Sequence, residues 1–365
     1  MLRVAIVGCG KIADQHVLAM QRIPDCKLVG VCDRELLMAR QLGGRFGVAG
    51  CFADLEEMLR MTHPDVVHIT TPPQSHFSLG KQCLESACNI YLEKPFTVTA
   101  EEAEALIKLA RERNLRLTAG HNYQFTLEMR QMRRLVSQGF LGGPPVHLES
   151  HWPYDLSDMS YVGPLLGDRN HWVRQLPGQL FHNVVSHGIA KLAEFLDGDL
   201  AEVIATAEQS PKLRSLGGEE VLDELRVMIR DKRGTTAFFC FSTQIRPGRS
   251  ELRIFGPGNS ITVDQASGTL LTHKNRKWKS YLTYFVPPLL LSAESFKAAR
   301  SNIGHFLGRR LYQDFGMTEL IRQFYGSIRQ QTEPPISYRE ILLTARIMDQ
   351  IFAQIYPRET RAVRA

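Results

Sequence analysis

A short glycine-rich run near the start of the chain has the residue types and the spacing that bind a pyrophosphate. The run is Gly8-Cys9-Gly10-Lys11-Ile12-Ala13, which reads G-x-G-x-x-A. The first glycine of such a run permits a tight turn, the second lets the backbone approach a phosphate, and the small third residue lets a helix pack closely on a strand. The start of that helix also offers unpaired N–H groups to an anion. The run therefore predicts dinucleotide binding if a strand precedes it and a helix follows it.

The flanking residues supply those elements and an acidic residue at the expected distance. Leu2–Val7 is apolar and rich in β-branched residues, which is typical of a buried strand, and apolar positions recur at helical spacing after the run. A second predicted strand, Lys27–Cys32, ends at Asp33, 20 residues after the end of the run. A carboxylate there accepts ribose hydroxyls and favours NAD by repelling the 2′-phosphate of NADP, whereas the neighbouring Arg34 is compatible with NADP.

Two later strands are each followed by residues that could meet a nicotinamide. The predicted strand Asp65–Thr70 leads into Thr71-Pro72-Pro73-Gln74-Ser75-His76, and Asn89–Leu92 leads into Glu93-Lys94-Pro95. Ligands of open parallel sheets bind at the carboxyl ends of the strands, so both segments are expected at the cofactor. Lys94 could hold or donate a proton to a substrate oxygen, although a single lysine is more often a solvated surface charge.

A second set of candidate residues lies in the other half of the chain. Asn183 and His187 are four residues apart in a predicted helix, Phe181–Leu196, and are therefore expected on one helix face. An imidazole there could act as a general base, or it could be an ordinary core histidine. Upstream, a run with Arg169, His171 and Trp172 has a composition suited to binding a sugar, and it is equally compatible with a structured loop.

The alternation of strands and helices predicts two domains of different architecture. Up to residue 120 strands and helices alternate, which favours an α/β Rossmann domain with a doubly wound parallel sheet. Residues 121–365 are predicted to form an α+β domain with a mostly antiparallel sheet, because strands there follow one another without intervening helices. The strands predicted in this second domain are His147–Trp152, Ala201–Ala207, Glu224–Arg230, Thr235–Thr243, Glu251–Phe255, Ile261–Asp264 and Leu270–His273.

Bulk properties are those of an ordinary soluble globular protein. The chain has 365 residues, 44% of them hydrophobic and 22% charged, with a net charge of +6. Its basic residues are spread along the sequence, which argues against nucleic-acid binding. The seven cysteines form no C-x-x-C pair and no metal-ligand spacing, so we expect no metal and a reducing compartment.

Nothing in the sequence predicts a membrane segment. The strongest apolar run, Phe285–Leu291, contains two prolines, and none approaches the length of a membrane span. A strand predicted from residue 2 leaves no room for a signal peptide, so a cytoplasmic location is expected.

Taken together, the motifs resemble the glucose–fructose oxidoreductase, inositol dehydrogenase and MocA-like family (Gfo/Idh/MocA). The resemblance covers nearly the whole chain. It rests on G-C-G-K-I-A, on T-P-P-x-x-H at Thr71–His76, on E-K-P at Glu93–Pro95, on N-Y-x-F at Asn122–Phe125, and on a helix followed by G-F-L-G-G. E-K-P after a buried strand is the most specific of these elements.

The resemblance implies an NAD(P)-dependent oxidoreductase acting on a secondary hydroxyl of a sugar, cyclitol or sugar derivative. It also implies a homo-oligomer assembled through the open sheet, a cis peptide before Pro95, and a catalytic Lys94 with His187 as its partner across the substrate. The residues expected to bind the cofactor are Gly8, Cys9, Gly10, Lys11, Ile12, Ala13, Asp33, Arg34, Thr71, Pro72, His76, Glu93 and Lys94. Those expected to bind the substrate are Lys94, Tyr123, Trp152, Arg169, His171, Trp172, Asn183 and His187.

The chain departs from the family pattern at positions that bear on mechanism. Gln179, Asn183 and Val185 stand where the family usually has glycine, aspartate and glycine, and Gln124 stands where many members have arginine. Asparagine can hydrogen-bond a hydroxyl but cannot accept a proton at neutral pH, so acid–base work would fall on His187 and Lys94. Two alternatives remain open: redox-neutral cleavage of a glycoside by transient oxidation, and a non-enzymatic dinucleotide-sensing protein.

Overall fold

The computed structural model describes residues 1–156, 159–217, 221–308 and 314–356, which form two compact units. The first unit contains Met1–Asn122 and Gly316–Asp349, and the second contains Tyr123–Phe315 and the described residues from Gln350 onwards. The strands are β1 (Leu2–Val7), β2 (Cys26–Cys32), β3 (Cys51–Phe52), β4 (Val66–Ile69), β5 (Asn89–Leu92), β6 (Leu117–Ala119), β7 (His147–Pro153), β8 (Ala201–Glu208), β9 (Glu224–Asp231), β10 (Thr236–Ser242), β11 (Glu251–Phe255), β12 (Asn259–Asp264) and β13 (Thr269–Lys274).

The helices follow in chain order. They are α1 (Lys11–Met20), α2 (Leu36–Phe46), α3 (Leu55–Thr62), α4 (His76–Glu85), α5 (Ala100–Glu112), α6 (Leu127–Ser137), α7 (Met159–Gly167), α8 (Gln179–Val184), α9 (Ser186–Ala193), α10 (Pro211–Ser215), α11 (Val286–Leu307), α12 (Phe315–Gln330) and α13 (Tyr338–Ile355). Short 3-10 turns lie at Pro73–Ser75, Asn122–Phe125 and Ser280–Tyr284.

The first unit is built on a six-stranded parallel sheet, as predicted. Its strand order is β3-β2-β1-β4-β5-β6, so the order reverses between β1 and β4. The central strands β1, β4 and β5 are almost wholly buried, which fits their continuous apolar sequences. A reversal of this kind opens a crevice at the carboxyl ends of the strands, where ligands bind. The glycine-rich turn follows β1, and E-K-P follows β5, so both lie at that edge.

The C-terminal helices belong partly to the first unit, which corrects the predicted domain division. The prediction assigned all of residues 121–365 to the second domain, but residues 316–349 cluster with the parallel sheet. In this segment the hydroxyl of Tyr325 lies 2.8 Å from Nε2 of His68, and Arg116 donates a hydrogen bond of 2.9 Å to the Thr332 carbonyl. Helical periodicity identifies an apolar face, but it does not identify the surface that this face will cover.

The second unit contains a seven-stranded sheet that is antiparallel except between β7 and β10. Its strand order is β13-β12-β11-β7-β10-β9-β8. One face is the core: Gly188 of α9 packs directly on the ring of Phe239, and a Cβ at Gly188 would overlap it. The register sets Ile204, Met228 and Phe238 side by side on the opposite, open face.

Two helical predictions need correction in the second unit. The helix predicted over Phe181–Leu196 is two short helices, α8 and α9, joined at Val185. The backbone angles at Val185, φ −86° and ψ −14°, lie at the edge of the helical region. Helix α11 was not predicted, because Pro287 and Pro288 break the apolar run at its start; both lie in the first turn, where proline is tolerated.

Candidate active site

The first glycine of the phosphate-binding turn is required by the protein itself. Gly8 has φ +94°, and its N–H donates a hydrogen bond of 2.8 Å to the Cys32 carbonyl. The hydroxyl of Thr70 donates to the Gly8 carbonyl at 2.6 Å. A Cβ at Gly8 would lie 2.7 Å from Cγ2 and 2.8 Å from the backbone nitrogen of Thr71. The neighbouring Thr71 therefore leaves no space for a side chain at Gly8, and only glycine fits there.

The second glycine is not required by any protein neighbour. Gly10 is the N-cap of α1, it makes no side-chain capping bond, and a Cβ placed on it would meet no protein atom within 4 Å. Its φ of −77° is open to any residue. The space beside Gly10 and the uncapped N–H groups at the start of α1 fit a pyrophosphate that must come close to the backbone. The residues present therefore fit a dinucleotide.

The carboxylate of the acidic residue after β2, Asp33, is fixed by hydrogen bonds from backbone N–H groups. One carboxylate oxygen of Asp33 accepts the N–H of Cys9 at 2.8 Å, and the other accepts the N–H of Glu35 at 3.0 Å. Each oxygen keeps a lone pair for a ribose hydroxyl. Burial and the charge of Asp33 raise the pKa of the Cys9 thiol to about 12, so this thiol is neutral. Arg34 is exposed.

The contrast between the two glycines gives a paired prediction. Gly8→Ala should lower the free energy of unfolding by about 2–4 kcal/mol, because it adds a clash with backbone to an unfavourable φ. Gly10→Ala should change it by less than about 0.5 kcal/mol and yet weaken NAD binding by about tenfold or more. Denaturant unfolding and calorimetric titration with NAD measure the two effects. Equal losses of stability in the two variants would contradict this assignment of the glycines.

His76 hydrogen-bonds to both of the loops that are expected at the nicotinamide. Its ring is buried, with Nε2 2.8 Å from the Thr71 carbonyl and Nδ1 3.1 Å from the carbonyls of both Pro95 and Phe96. Burial lowers its pKa. His76 is therefore placed to position the loops that carry Thr71 and the E-K-P turn. Direct contacts of Thr71 and Pro72 with a cofactor remain predictions.

The E-K-P turn presents Lys94 at the end of β5. The peptide bond between Lys94 and Pro95 is cis, as the resemblance implied. Glu93 is buried, and its Oε2 accepts the backbone N–H of Lys94 at 3.1 Å. Burial lowers the pKa of the partly exposed Lys94, and the negative charge of Glu93 raises it. Lys94 therefore lies in a poorly hydrated position next to the buried carboxyl group of Glu93.

Sequence reasoning missed a histidine near this turn. His121 is buried and lies two residues after the end of β6. Burial lowers its pKa to about 4; Lys94 also lowers it, whereas Glu93 raises it, so the ring is neutral. The signal was its position just after a predicted parallel strand, where polar residues of this fold meet ligands.

In the second unit, three of the predicted substrate residues come together. The ring of Tyr123 lies 4.8 Å from the rings of both Trp152 and His187, and the rings of Trp152 and His187 are 5.5 Å apart. Trp152 comes from β7 and His187 from α9. The Tyr123 ring is 38% exposed, and an exposed aromatic ring beside an imidazole can pack against the apolar face of a sugar while the imidazole acts on a hydroxyl. Asn183 lies on α8, so it does not share one continuous helix with His187 as predicted.

A buried lysine next to this cluster was not predicted. Lys191 is fully buried; its Nζ donates to Oε1 of Gln265 at 2.8 Å and lies 4.7 Å from the centre of the Trp152 ring. Burial lowers its pKa to about 7, although Glu128 opposes this. The sequence feature that could have indicated this buried amine is a lysine one helical turn after His187, among apolar residues.

The pKa of Lys191 predicts a pH dependence of stability. The unfolded chain keeps this amine protonated up to about pH 10.4, whereas the folded protein releases the proton near pH 7. Below pH 7 the folded protein carries the buried charge, and its free energy of unfolding is lowered by the whole cost of burying that charge. As the pH rises above 7 the buried amine becomes neutral, so this cost decreases. Between pH 7 and pH 9 the wild type should gain about 2 kcal/mol relative to Lys191→Met in denaturant unfolding. Parallel stability curves for the two proteins would contradict the lowered pKa.

The positions of the remaining predicted substrate residues, and of Gln124, do not indicate a direct role in catalysis. Arg169 is exposed, and the rings of His171 and Trp172 lie 5.8 Å apart in the segment before α8, so their substrate contacts stay predictions. The amide of Gln124 donates to the Ala190 carbonyl at 3.3 Å and to Glu194 at 3.1 Å, which gives it a structural role.

Two features are absent from the described parts of the chain. No group of three or more His, Cys, Asp or Glu side chains there is arranged to hold a metal ion. Likewise, none of the helices in those ranges is both long and apolar enough to cross a membrane.

Comparison with protein families agrees with this arrangement in both halves of the chain. Residues 2–121 match the model described as an oxidoreductase family with an NAD-binding Rossmann fold, and residues 129–262 match the Gfo/Idh/MocA C-terminal domain. The chain belongs to the Gfo/Idh/MocA family. Membership explains why the turn after β1 and the turn after β5 occur together in one parallel sheet.

Similar proteins include named sugar dehydrogenases. D-glucoside 3-dehydrogenase of Escherichia coli is 35% identical over 142 residues, which is 39% of this chain and 40% of that enzyme. D-apiose dehydrogenase of Paraburkholderia graminis is 24% identical over 98% of this chain and 88% of that enzyme. A solved structure of the WlbA dehydrogenase from Bordetella pertussis, in complex with NADH and UDP-GlcNAcA, has a TM-score of 0.75 and 18% identity over 99% of this chain and 96% of that one. The structural likeness shows the shared fold.

Proposed function

We propose that this protein is an NAD(P)-dependent dehydrogenase that interconverts a secondary hydroxyl and a ketone on a sugar, cyclitol or sugar derivative. The observation that carries the proposal is Lys94, held beside buried Glu93 at the same sheet edge as an open phosphate-binding turn. The names of the relatives support a sugar-like substrate, since both act on sugars or glycosides.

Each candidate residue has a role that its chemistry allows. Bound NAD(P) supplies the acceptor for the hydrogen and electron pair that leave the hydroxyl carbon. Lys94, as a cation, stabilises the negative charge that develops on the substrate oxygen, a type of electrostatic assistance that is often the largest catalytic contribution. His187 accepts the hydroxyl proton through a ring nitrogen. Asn183 can orient a hydroxyl by hydrogen bonding, but it cannot take the proton.

The position of Asp33 supports NAD as the preferred cofactor. Its carboxylate is fixed by two backbone N–H groups at the end of β2, where a ribose 2′-hydroxyl would be accepted and a 2′-phosphate would be repelled. Arg34 is exposed next to it and could still accommodate a phosphate.

A substrate screen tests the proposal. The purified protein is incubated with NAD or NADP and a panel of sugars, glycosides, inositols, uronates and sugar nucleotides, and reduced nicotinamide is followed by absorbance. We expect reduction with at least one class, faster with NAD. Glycoside cleavage without accumulation of reduced cofactor would favour the redox-neutral alternative. Tight cofactor binding without any turnover would favour a sensing protein.

We further infer that two copies of the chain associate through the open face of the second sheet. Ile204 and Met228 lie opposite each other on that face and are 64% and 61% exposed. Phe238 continues the same row on the adjacent strand. Apolar rows exposed on a flat sheet mark interaction surfaces, and a twofold axis would pair this row with its own copy.

The assembly gives a direct prediction. Met228→Glu should lower the oligomer mass measured by light scattering, because it places a charge in the centre of the apolar row. Leu37→Glu, on an exposed position of α2 in the first unit, is the matched control and should leave the mass unchanged. A monomeric wild type, or a Met228→Glu variant of unchanged mass, would contradict this interface.

The cysteines support a location in a reducing compartment such as the cytoplasm. All seven are free thiols, and five of them are buried. Unpaired thiols in this number are typical of proteins kept under reducing conditions.

A further inference from the structure

Four buried side chains from four different parts of the first unit are joined end to end by hydrogen bonds. Oε1 of Glu93 lies 3.0 Å from Nε2 of His16 on α1. Nδ1 of His16 lies 2.8 Å from Nδ1 of His68 on β4. Nε2 of His68 lies 2.8 Å from the hydroxyl of Tyr325 on α12. We call this set the histidine chain; it begins next to Lys94 and uses both nitrogens of both imidazole rings.

The order of donors along the histidine chain follows from what each group can do. Burial and the neighbouring ring of His16 lower the pKa of His68 well below its usual value, so His68 is neutral. For rings that carry one proton each and an ionised Glu93, one arrangement satisfies every bond. The Tyr325 hydroxyl donates to Nε2 of His68, Nδ1–H of His68 donates to His16, and Nε2–H of His16 donates to the carboxylate.

For rings with one proton each, the opposite order is incompatible with a carboxylate. If Tyr325 accepts from His68 instead, then His68 accepts from Nδ1–H of His16, and a His16 ring with one proton has none left for Glu93. Glu93 would then have to be protonated to keep the bond. The hydroxyl of Tyr325 therefore selects the order of protons that stabilises a negative charge on Glu93.

Packing keeps water away from the histidine chain. The ring of Tyr91 stacks on His68 with centres 4.7 Å apart and planes 5° from parallel, and Phe324 packs against Tyr91. All of these side chains are buried. Hydrogen bonds in such a poorly hydrated interior are stronger than in water, and a chain of them is cooperative.

Five charged or titratable groups interact electrostatically with Glu93, and they come from several elements of the first unit. They are His16, His76, Tyr91, Lys94 and His121. At the other end of the histidine chain, Cys26 raises the pKa of the Tyr325 hydroxyl and Arg329 lowers it. Although burial raises the pKa of Glu93, its hydrogen bond to His16, the charge of Lys94 and the backbone N–H of Lys94 lower it overall. The backbone also fits tightly, because a Cβ on Gly120 would lie 2.9 Å from Oε1 of Glu93.

We propose that His16, His68 and Tyr325 are positioning residues that hold Glu93 as an oriented carboxylate, so that Lys94 meets the substrate as a cation. This rests on the proposed function only in the role given to Lys94. Glu93 connects the two, since Oε1 takes the bond from His16 and Oε2 takes the backbone N–H of Lys94.

Tyr325→Phe is the variant that tests the link to Lys94, because it removes the terminal donor and keeps the ring. Without that donor the order of protons is no longer fixed, Glu93 is protonated more easily, and Lys94 loses part of its stabilising charge. The acid limb of kcat/KM against pH should move to higher pH by about 0.5–1 unit, the equivalent of one hydrogen bond, because Glu93 is ionised throughout the alkaline range in both proteins. Tyr338→Phe is the matched control, since the Tyr338 hydroxyl is buried in the same unit but bonds backbone groups of Leu115 and Leu117. Its pH profile should not change.

Nitrogen-15 NMR of histidine-labelled protein tests the chain without any substrate. We expect His16 to carry its proton on Nε2 and His68 on Nδ1 in the wild type, and a mixture of tautomers in Tyr325→Phe. The reverse tautomers in the wild type would overturn the proposal, as would a pH profile that is the same for wild type and Tyr325→Phe. If no compound is turned over, the proposed function fails, and the tautomers alone decide whether the chain exists.

Discussion

Lys94→Ala is expected to lower kcat/KM by about 10³-fold while leaving the affinity for NAD unchanged within a factor of about two. The ammonium group is the only part of the side chain that can stabilise charge on a substrate oxygen, and alanine removes it without altering the phosphate-binding turn. Steady-state kinetics on the substrate found in the screen measure the first quantity, and calorimetric titration with NAD measures the second.

An exposed lysine provides the control. Lys108 lies on α5 and makes a surface ion pair of 3.8 Å with Glu112. Lys108→Ala should leave both quantities unchanged, because exposed ion pairs contribute little. If Lys94→Ala kept more than about a tenth of the wild-type kcat/KM, the catalytic role of Lys94 would be wrong.

His187→Gln is expected to have the second largest effect, a loss of about 10²–10⁴-fold in kcat with the fold retained. Glutamine keeps a hydrogen-bonding group at the position but cannot accept a proton from a hydroxyl at neutral pH. Asn183, on the neighbouring helix α8, has the same limitation and cannot replace the histidine. The loss should appear in kcat more than in KM, because ground-state hydrogen bonding is partly preserved.

His147→Gln is the comparison for His187. His147 lies on β7 in the same unit, with its Nδ1 2.7 Å from the Thr236 hydroxyl, and the register places it on the open face of the sheet. This variant should retain kcat. Equal losses in the two variants would show that the effect comes from perturbing the second unit rather than from removing a base.

The sequence was most informative where local pattern and fold agree. The spacing from the glycine-rich run to Asp33 predicted the first βαβ unit, and β11, Glu251–Phe255, has the bounds that were predicted. Alternating exposure on one open sheet face makes such strands easy to recognise. The same local reasoning could not assign residues 316–349 to the first unit, because that depends on packing between distant segments.

The candidate site was predictable at its turns and less so in its interior. Lys94 and His76 follow strands at the ligand edge of a parallel sheet, which makes them stand out. His16 and His68, in contrast, occupy positions that local patterns assign to the core of a helix and a strand. Their hydrogen bond joins residues 52 positions apart, and the bond from His68 to Tyr325 spans 257 positions. Periodicity within a single element contains no information about such partners.

Net oxidation of a sugar-like hydroxyl has a defined stoichiometry, which can be measured. For a compound that reacts in the screen, the amount of reduced nicotinamide is compared with the amount of ketone product, in wild type and in Lys94→Ala. We predict one equivalent of reduced nicotinamide for each ketone formed by the wild type, and about a thousandth of either product from Lys94→Ala in the same time. Product that forms without reduced nicotinamide, or equal yields from the two proteins, would contradict the proposed dehydrogenase.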